Sequence, residues 1–257
     1  MGFARASYYT RSKQATKDKL VAVAIEEQHE ADDTLGHRKL AALLHIGKNR
    51  VKRVMKKYGL TARRKKKRYV YPGKAAQIAP NLVREMKEET ASEVVFSDIF
   101  EIELADGAKV RGCFALWKRT RQILALVFDY RMKADLVVST VKMLHFSVPG
   151  MIWHSDQGSQ YGAEQTRAIL LEKGFQLSMS RAGTPTDNGY AERFGGLFKL
   201  AVAERQPYHT LGAFLRAAEA WINFYNGKRP HESLGYLSPN QFAEKNHLQT
   251  LPYLALF

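Results

Sequence analysis

The order of strand-like and helix-like segments after residue 93 constrains the fold of this chain more than any other feature. Runs rich in Val, Ile, Leu and Phe cover residues 94–104, 109–117 and 121–130, and Ala-Asp-Gly at 105–107 marks a tight turn between the first two. The pattern then predicts a helix at 132–145, a strand at 150–155, a helix at 163–173, a strand at 175–179 and a helix at 188–204.

Three consecutive strands followed by alternating helices and strands form a mixed sheet with helices on both faces. This order is that of the ribonuclease-H-like fold, so we expect an α/β catalytic core with flanking helices over residues 93–205. Two further helices are predicted at 210–226 and 239–245, within a C-terminal helical extension over residues 206–257.

The N-terminal part predicts a small all-helical domain over residues 1–70, with helices at 17–30, 36–44 and 48–58. A glycine-containing turn and a basic last helix ending at Gly59 indicate a helix-turn-helix, and an ordinary three-helix bundle with a basic surface is the alternative. The side chains expected to face inward are Leu20, Val23, Ala24, Leu40, Leu43, Leu44, Val51, Val54, Met55 and Tyr58. Pro- and Gly-containing turns in residues 71–92 predict a linker with a short polar helix around 82–89.

The positive charge is concentrated in this N-terminal part. Residues 1–70 carry 19 basic and 6 acidic residues, whereas residues 71–257 carry 21 and 19. We therefore expect a phosphate-binding surface rather than a merely solvated tail. The residues predicted to contact DNA here are Asn49, Lys52, Arg53, Lys56, Lys57, Arg63 and Arg64.

Cys113 is the single cysteine, which excludes an internal disulfide and a zinc site of the Cys₂His₂ type. No run of about 18 apolar residues occurs, so we expect no membrane span. These features predict a cytoplasmic, nucleoid-associated protein.

Three acidic residues stand where a metal site could form. Asp98 lies within the strand pattern Val-Val-Phe-Ser-Asp-Ile-Phe, Asp156 ends a strand, and Glu192 opens a helix 36 positions later. An unpaired carboxylate costs several kcal/mol to bury, so Asp98 requires either a basic partner or a metal. Two strand carboxylates and one helix carboxylate could hold two Mg²⁺ ions, with Mn²⁺ able to substitute, as phosphodiester chemistry requires.

The segment around Glu192 predicts a helix with two distinct faces. Tyr190, Phe194, Leu197 and Ala201 are expected to face the core. The opposite face is predicted to carry Asn188, Glu192, Gly195, Gly196 and Lys199, with Asn188 in contact with DNA. The two glycines allow either close approach of a nucleic-acid backbone or a helix crossing. Gln157, in the polar turn after Asp156, could meet a phosphate or a base.

Several motifs together resemble the integrase-like transposases of the IS-three family of bacterial insertion sequences, specifically the product of their second reading frame. The motifs are Phe-Ser-Asp-Ile at 96–99, His-Ser-Asp-Gln-Gly-Ser-Gln-Tyr at 154–161, Met-Ser-Arg-Ala-Gly at 179–183, Asp-Asn-Gly-Tyr-Ala-Glu-Arg-Phe at 187–194, Leu-Phe-Lys at 197–199, Phe-Tyr-Asn at 224–226 and Arg-Pro-His-Glu-Ser-Leu-Gly-Tyr-Leu-Ser-Pro at 229–239. The resemblance extends over nearly the whole chain.

The resemblance implies that Asp98, Asp156 and Glu192 are catalytic, metal-binding residues and that Lys199 contacts DNA near the cleaved phosphate. It implies metal-dependent DNA cleavage and strand transfer on terminal repeats and target DNA. It further implies a homo-multimer on DNA, and partnership with the upstream-frame protein or a frameshift fusion to it.

Two departures from the family pattern stand out. Phe100 occupies the place of a usual threonine, and Trp117 begins a segment, Trp-Lys-Arg-Thr-Arg, where the family usually has an aspartate. Three alternatives remain open. A retroviral-type integrase would carry a zinc domain that one cysteine cannot form, a ribonuclease H would not need the helix-turn-helix, and a non-catalytic transposase-derived DNA-binding protein would not need the three acids.

Overall fold

The structure is a computed structural model that describes residues 5–64, 78–84, 86, 93–131, 133–145 and 150–248. Three helices come first, namely α1 (Arg5–Ala31), α2 (His37–Leu43) and α3 (Lys48–Tyr58). The strands are β1 (Val94–Glu103), β2 (Lys109–Trp117), β3 (Ile123–Asp129), β4 (Ile152–Ser155) and β5 (Gln176–Met179). The later helices are α4 (Ala134–Lys142), the one-turn α5 (Ser159–Gly162), α6 (Glu164–Glu172), α7 (Gly189–Phe198), α8 (Leu211–Gly227) and α9 (Pro239–Lys245).

The five strands form one mixed sheet in the order β3-β2-β1-β4-β5. The first three strands pair antiparallel, and β4 and β5 are added parallel to β1. This arrangement confirms the predicted mixed sheet. The register pairs Phe96 with His154, so the sequence positions two residues further along are Asp98 and Asp156.

Each face of the sheet is covered by helices, as the sequence predicts. On one face, Phe96, Phe100 and Phe114 pack against Phe194 and Phe198 of α7, and α8 completes this aromatic core. On the other face, apolar side chains of the central strands pack against those of α4 and α6. Because β1 is covered on both faces, its near-continuous apolar sequence is what a buried central strand requires.

The N-terminal helices form a small core of their own around Ile25, Leu40, Val51 and Val54. Gly59 adopts a left-handed conformation (φ 70°) and ends α3, as predicted. This small helical domain fits the predicted one, and Val51, Val54 and Met55 are confirmed as inward-facing.

Three of the expected inward-facing residues are exposed instead. Leu20 is 68% exposed, Val23 is 44% exposed and Tyr58 is 38% exposed. Val21, Ala22 and Ile25 are buried in their place in α1. The sequence carries two neighbouring apolar stripes on α1, and contact with α3 selects the one rotated by about one residue, or roughly 100°.

A buried ion pair joins the helical domain to the C-terminal extension. Arg229 Nε donates to Asp32 Oδ2 over 2.6 Å, and the two side chains are only 3% and 0% exposed. The Arg229 guanidinium also reaches the hydroxyl of Thr34. Arg205 extends the joint by donating to the carbonyls of His29 and Ala31. The Arg-Pro-His-Glu-Ser-Leu-Gly-Tyr motif therefore supplies the residue that fixes the N-terminal helices to the core.

Several predictions fall on parts of the chain outside the described residues. Most of the predicted linker at 71–92 and the basic residues 65–68 are among them. Of the polar helix predicted around 82–89, residues 82–84 and 86 are described and are not helical. Within the described ranges, none of the helices is long and apolar enough to cross a membrane.

Candidate active site

The two aspartates of the candidate site lie on adjacent parallel strands. Asp98 projects from the face of β1 that also carries Phe96 and Phe100, because side chains alternate along a strand. Asp156 directly follows β4, at the carboxyl end where open α/β sheets place their sites. The strand register thus brings together two carboxylates that are 58 positions apart in the sequence.

Both aspartates have pKa values above the usual range. Burial raises the pKa of Asp98 to about 7, and the negative charge of Asp156 adds to this effect. The amide of Ile99, which donates to Asp98 over 2.8 Å, offsets only part of the increase. Burial also raises the pKa of Asp156, against the opposing hydrogen bond from the Gly158 amide. Among the described residues, neither aspartate has an ion pair with a basic side chain within 4 Å.

The third acid and the predicted lysine approach from α7. Glu192 lies on the exposed side of the first turn of α7, and its charge contributes to the raised pKa of Asp98. Lys199 follows α7 in a π-helical turn, with its Nζ 5.9 Å from the centre of the Phe100 ring. Because Phe100 shares the face of β1 that carries Asp98, this contact puts Lys199 on the same side of the sheet as the carboxylate, and its positive charge lowers the pKa of Asp98.

Residues beside the three acids connect the segments that carry them. The hydroxyl of Ser97, next to Asp98, lies 2.8 Å from the hydroxyl of Tyr161, which follows Asp156. Asn188, at the start of α7, donates from Nδ2 to the carbonyl oxygen of Ser97 over 3.2 Å. These buried bonds fix the spacing of the three segments.

A second network holds the loop that leads into α7. Asp187 accepts two hydrogen bonds from the Arg181 guanidinium, at 2.9 and 3.0 Å, and one from Asn81 at 2.9 Å. The bidentate Arg181 pairing keeps the pKa of Asp187 below its usual value, so the carboxylate stays ionised and bonded. The start of the Glu192 helix is therefore anchored on two sides.

Gly158 leaves room for the Asp156 carboxylate. A Cβ at Gly158 would lie 2.9 Å from Asp156 Oδ1 and 3.1 Å from Gln160 Oε1. In α7, a Cβ at Gly195 would make ordinary contact with Phe100 at 3.9 Å, whereas Gly196 faces open space. Both interpretations of the glycine pair remain open. Gly195 packs against the core, as a helix crossing would require, and Gly196 has no side chain that would keep a nucleic-acid backbone away from the surface.

The donor set suits a hard divalent cation. Asp98, Asp156 and Glu192 offer only carboxylate oxygens, which are the ligands that Mg²⁺ prefers. In the described part of the chain, however, no three His, Cys, Asp or Glu side chains lie close enough to share one metal ion. The structure therefore brings Asp98 and Asp156 together and sets Glu192 beside them, without closing a three-carboxylate cage.

The predicted DNA-contacting residues of α3 fall into two groups. Asn49, Lys52 and Lys56 are exposed on its outer face. Arg53 and Lys57 are exposed as well, but each is paired with the buried Asp18 of α1, at 2.8 and 3.3 Å. These two cations have a structural task in holding α1 against α3.

The remaining predicted DNA contacts also differ in accessibility. Arg64 is exposed and Gln157 is half-buried. Arg63 pairs with Asp33 and donates to the carbonyls of Leu200 and Glu204, so it belongs to the joint between helical domain and core. Asn188 is only 4% exposed. The side chains of Arg63 and Asn188 thus make bonds within the chain, and their predicted DNA contacts stay predictions.

The sequence motifs include the residues whose hydrogen bonds hold the site segments in place, but the motifs alone do not indicate those bonds. Asp187 and Arg181 both lie in family motifs, as does Tyr161. Their pairing depends on contacts between segments that only the folded chain brings together. Trp117, one of the two departures, is buried and pairs with Val95, so the sheet continues through it.

Comparisons with known proteins agree with this arrangement. Two family descriptions, both "Integrase core domain", match residues 88–185 and 173–239. An uncharacterised 31.7 kDa protein of insertion element IS407 from Burkholderia multivorans is 25% identical, over 96% of this chain and 88% of its own length. The transposase for insertion sequence element IS904 from Lactococcus lactis is 29% identical, over 91% of this chain and 98% of its own.

Among solved structures, the simian T-cell lymphotropic virus intasome in complex with PP2A regulatory subunit B56 gamma contains a similar chain. It matches with a TM-score of 0.52 and 13% identity, over 85% of this chain and 78% of that one. This likeness supports the ribonuclease-H-like fold. Taken together, these matches show that the chain carries an integrase core over residues 88–239 and is similar over nearly its whole length to proteins of bacterial insertion sequences, with which its IS-three motifs are consistent.

Proposed function

We propose that this transposase cuts DNA and joins the exposed 3′ end to a second DNA site at one centre formed by Asp98, Asp156 and Glu192. The observation that carries this proposal is the pair of adjacent, largely buried aspartates without a basic partner in the described residues. Such a pair does not stabilise the fold, because two half-buried carboxylates without a basic partner among the described residues repel each other and are partly desolvated. A bound cation would neutralise the two carboxylates and so explain why the fold places them side by side.

Two Mg²⁺ ions, or Mn²⁺ in their place, would be held by the three carboxylates and would supply charge stabilisation at the reacting phosphate. The residues of the chain hold and orient the reactants. Lys199 offers an ammonium group to a phosphate oxygen beside the carboxylates, and the Ser97–Tyr161 and Asn188 bonds keep the segments in register. Such fixed placement is the main contribution that a protein makes to phosphoryl transfer.

The reaction consists of two phosphodiester exchanges. In the first, water attacks phosphorus and the bond to the 3′ oxygen breaks, which leaves a 3′-hydroxyl and a 5′-phosphate. In the second, this hydroxyl attacks a phosphodiester of the target, a new ester forms and the target's 3′ oxygen leaves as a hydroxyl. The hydroxyls of Ser97 and Tyr161, both in motifs of the site, are buried and bonded to each other, so a covalent enzyme–DNA intermediate is not part of the proposal.

We further propose that residues 1–70 form the helix-turn-helix that grips the terminal repeats, with a linker at 71–92, the core at 93–205 and the extension at 206–257. Support comes from the exposed outer face of α3, where Asn49, Lys52 and Lys56 are accessible. A helix of this kind binds in the major groove with its cations on the flanking phosphates.

The working form is proposed to be a homo-multimer on DNA in the nucleoid, joined by the upstream-frame protein or a fusion with it. Bringing two element ends to one target needs at least two centres. The solved chain with a similar fold belongs to an intasome, which supports a multimeric arrangement here.

The direct test is strand cleavage of a labelled duplex carrying an element end, with Mg²⁺, by the wild type, Asp156→Asn and Glu192→Gln. Both variants should lose cleavage by at least about 1,000-fold, or about 4 kcal/mol, and retain DNA binding. Glu172→Gln, at an exposed carboxylate on α6, is the matched control and should cleave normally.

Two results would count against the proposal. Normal cleavage by Asp156→Asn and Glu192→Gln would remove these residues from the centre. Binding without any cleavage by the wild type, with Mg²⁺ or Mn²⁺, would favour a DNA-binding protein without catalysis.

A further inference from the structure

An aromatic side chain close to the candidate site is surrounded by three cationic groups. The ring centre of Tyr190 lies 4.2 Å from the Arg121 guanidinium carbon, 4.9 Å from that of Arg193 and 5.7 Å from the Lys118 ammonium nitrogen. The hydroxyl of Tyr190 also accepts a hydrogen bond from Arg121 at 3.4 Å. We call Lys118, Arg121, Tyr190 and Arg193 the Tyr190 cluster.

The Tyr190 cluster is built from two segments that the fold holds firmly. The ring of Tyr190 packs on that of Phe96, with centres 5.0 Å apart, and Phe96 precedes Asp98 by two residues on the same face of β1. Lys118 and Arg121 belong to the tight turn between β2 and β3, where Arg121 adopts a left-handed conformation with φ of 62°. This turn is the segment in which the sequence departs from the family pattern.

The charges of the Tyr190 cluster are not balanced by acidic groups of the described chain. Arg119, in the same turn, forms an ion pair with Glu93 at 2.8 Å. Lys118, Arg121 and Arg193 have no carboxylate within 4 Å among the described residues. One terminal guanidinium nitrogen of Arg121 is also buried without a hydrogen-bond partner.

This arrangement is costly without a ligand. Cation–π contacts return only about 0.5–1 kcal/mol each at exposed sites, while the like charges repel and the buried N–H groups go unsatisfied. An anion with several acceptor oxygens would satisfy both needs. A phosphodiester is such an anion, and two arginines and a lysine are the side chains that most often bind it.

We propose that the Tyr190 cluster binds a backbone phosphate of the DNA that occupies the catalytic centre. The position supports this assignment, because Tyr190 lies two residues before Glu192 and its packing partner lies two residues before Asp98. The proposal rests on the proposed function for the identity of the ligand as DNA. The catalytic core then contributes its own contact to DNA, in addition to the basic N-terminal domain.

The test compares the salt dependence of DNA binding by the full-length chain, measured by fluorescence anisotropy. The test variant combines Lys118→Gln, Arg121→Gln and Arg193→Gln. The control combines Arg119→Gln, Lys142→Gln and Arg167→Gln, which removes the same charge from the same core. Two duplex probes of equal length are used, one carrying an element end and one with that sequence scrambled.

Loss of one phosphate contact should make the slope of log K against log salt shallower by about 0.9 and weaken binding about 8-fold near 0.1 M salt. The control should retain its slope. Loss with both probes supports a contact to any duplex, and loss with the element end alone supports a contact to donor DNA. A test variant that binds both probes as the control does would overturn the proposal.

Two further measurements keep the result interpretable. Thermal unfolding establishes that the test variant is folded, and Arg193→Gln alone, at an exposed position, should show a smaller loss in the same direction. A wild type that fails to bind either probe would contradict DNA as the substrate, which is a failure of the proposed function.

Discussion

Two aspartates, the buried Asp32 in the joint and the half-buried Asp98 in the sheet, have pKa values shifted in opposite directions by the fold. Burial raises the pKa of Asp32, but the Arg229 charge and hydrogen bonds from Thr34 and Arg229 outweigh it, so the pKa ends below its usual value. At Asp98, burial and the Asp156 charge prevail, and the pKa rises to about 7.

Under the proposed function, this difference in pKa separates a structural carboxylate, Asp32, from a catalytic one, Asp98. Asp32 has its counter-ion supplied by the chain, so its charge is satisfied as soon as the protein folds. Asp98 and Asp156 have none among the described residues within ion-pair distance, so the folded chain holds a concentration of negative charge for something else to neutralise. A buried acid without a partner is thus evidence for a ligand.

The largest expected effect comes from removing the unpaired charge. Asp98→Asn should lower strand cleavage by at least about 1,000-fold, while the free energy of unfolding in EDTA should stay equal or increase, because an unfavourable charge is removed. Cleavage kinetics and urea unfolding measure the two quantities. A marked loss of stability in EDTA would show that Asp98 is a structural residue like Asp32.

The paired charge should respond in the opposite manner. Asp32→Asn or Arg229→Met should lower the free energy of unfolding by about 3–5 kcal/mol, because each leaves the other partner buried and uncompensated. The double variant Asp32→Asn with Arg229→Met should recover part of this loss. Urea unfolding at neutral pH measures the values, and a loss below about 1 kcal/mol in both single variants would contradict the structural role.

The pH dependence of the joint follows from the lowered pKa of Asp32. A carboxylate with a depressed pKa contributes stability above its ordinary value of 3.8, and the contribution is lost as pH falls through the folded value. The stability difference between wild type and Asp32→Asn should therefore be full at pH 7 and shrink below about pH 4. A difference that stays constant from pH 7 to pH 3 would mean that the charge of Asp32 is unimportant.

A smaller effect is expected when cations of α3 that are paired with Asp18 are compared with cations of α3 that are not. Lys52→Gln with Lys56→Gln should make the salt slope of DNA binding shallower by up to about 2, or 0.9 per phosphate contact. Arg53→Gln with Lys57→Gln removes equal charge, but these residues are held by Asp18, so the slope should change less and the stability should fall more. Equal salt slopes for the two double variants would contradict a difference between the Asp18-paired cations and the other two.

Much of the fold could be predicted from the sequence because its signals are local. The β1 prediction of 94–104 differs by one residue from Val94–Glu103, and the last helix prediction coincides with Pro239–Lys245. The spacing of apolar residues identifies such elements, and glycine or proline residues mark where they end. The neighbouring stripe on α1 was misassigned because two apolar faces were available and only contact with α3 distinguishes them.

The three acidic residues of the candidate site could be predicted from the sequence, but the long-range contacts that hold the surrounding segments together could not. Asp98, Asp156 and Glu192 stand in recognisable motifs, and the strand register places the two aspartates side by side. The partners Asp32 and Arg229 are 197 positions apart, and nothing local in either segment indicates the other. For the same reason, the basic neighbourhood of Arg63 predicts a DNA contact and does not indicate its ion pair with Asp33 at the joint.

The central claim is that Asp98 and Asp156 are unpaired because they bind a divalent cation. Since the folded pKa of Asp98 lies near 7, well above its ordinary 3.8, the stability of the metal-free protein falls as pH rises from about 4 to about 7, and above 7 the folded protein carries the full penalty of the ionised carboxylate. A bound cation removes that penalty, so metal should stabilise the protein more at pH 8 than at pH 6.

The most direct measurement is the melting temperature of the protein with and without Mg²⁺ or Mn²⁺ at these two pH values, in the absence of DNA. At a metal concentration of about ten times Kd, the wild type should gain about 1.4 kcal/mol, or roughly 3–5 °C, at pH 8. Asp98→Asn should show no gain, while Glu172→Gln should respond as the wild type does. An equal metal-dependent gain in Asp98→Asn and wild type would contradict the account.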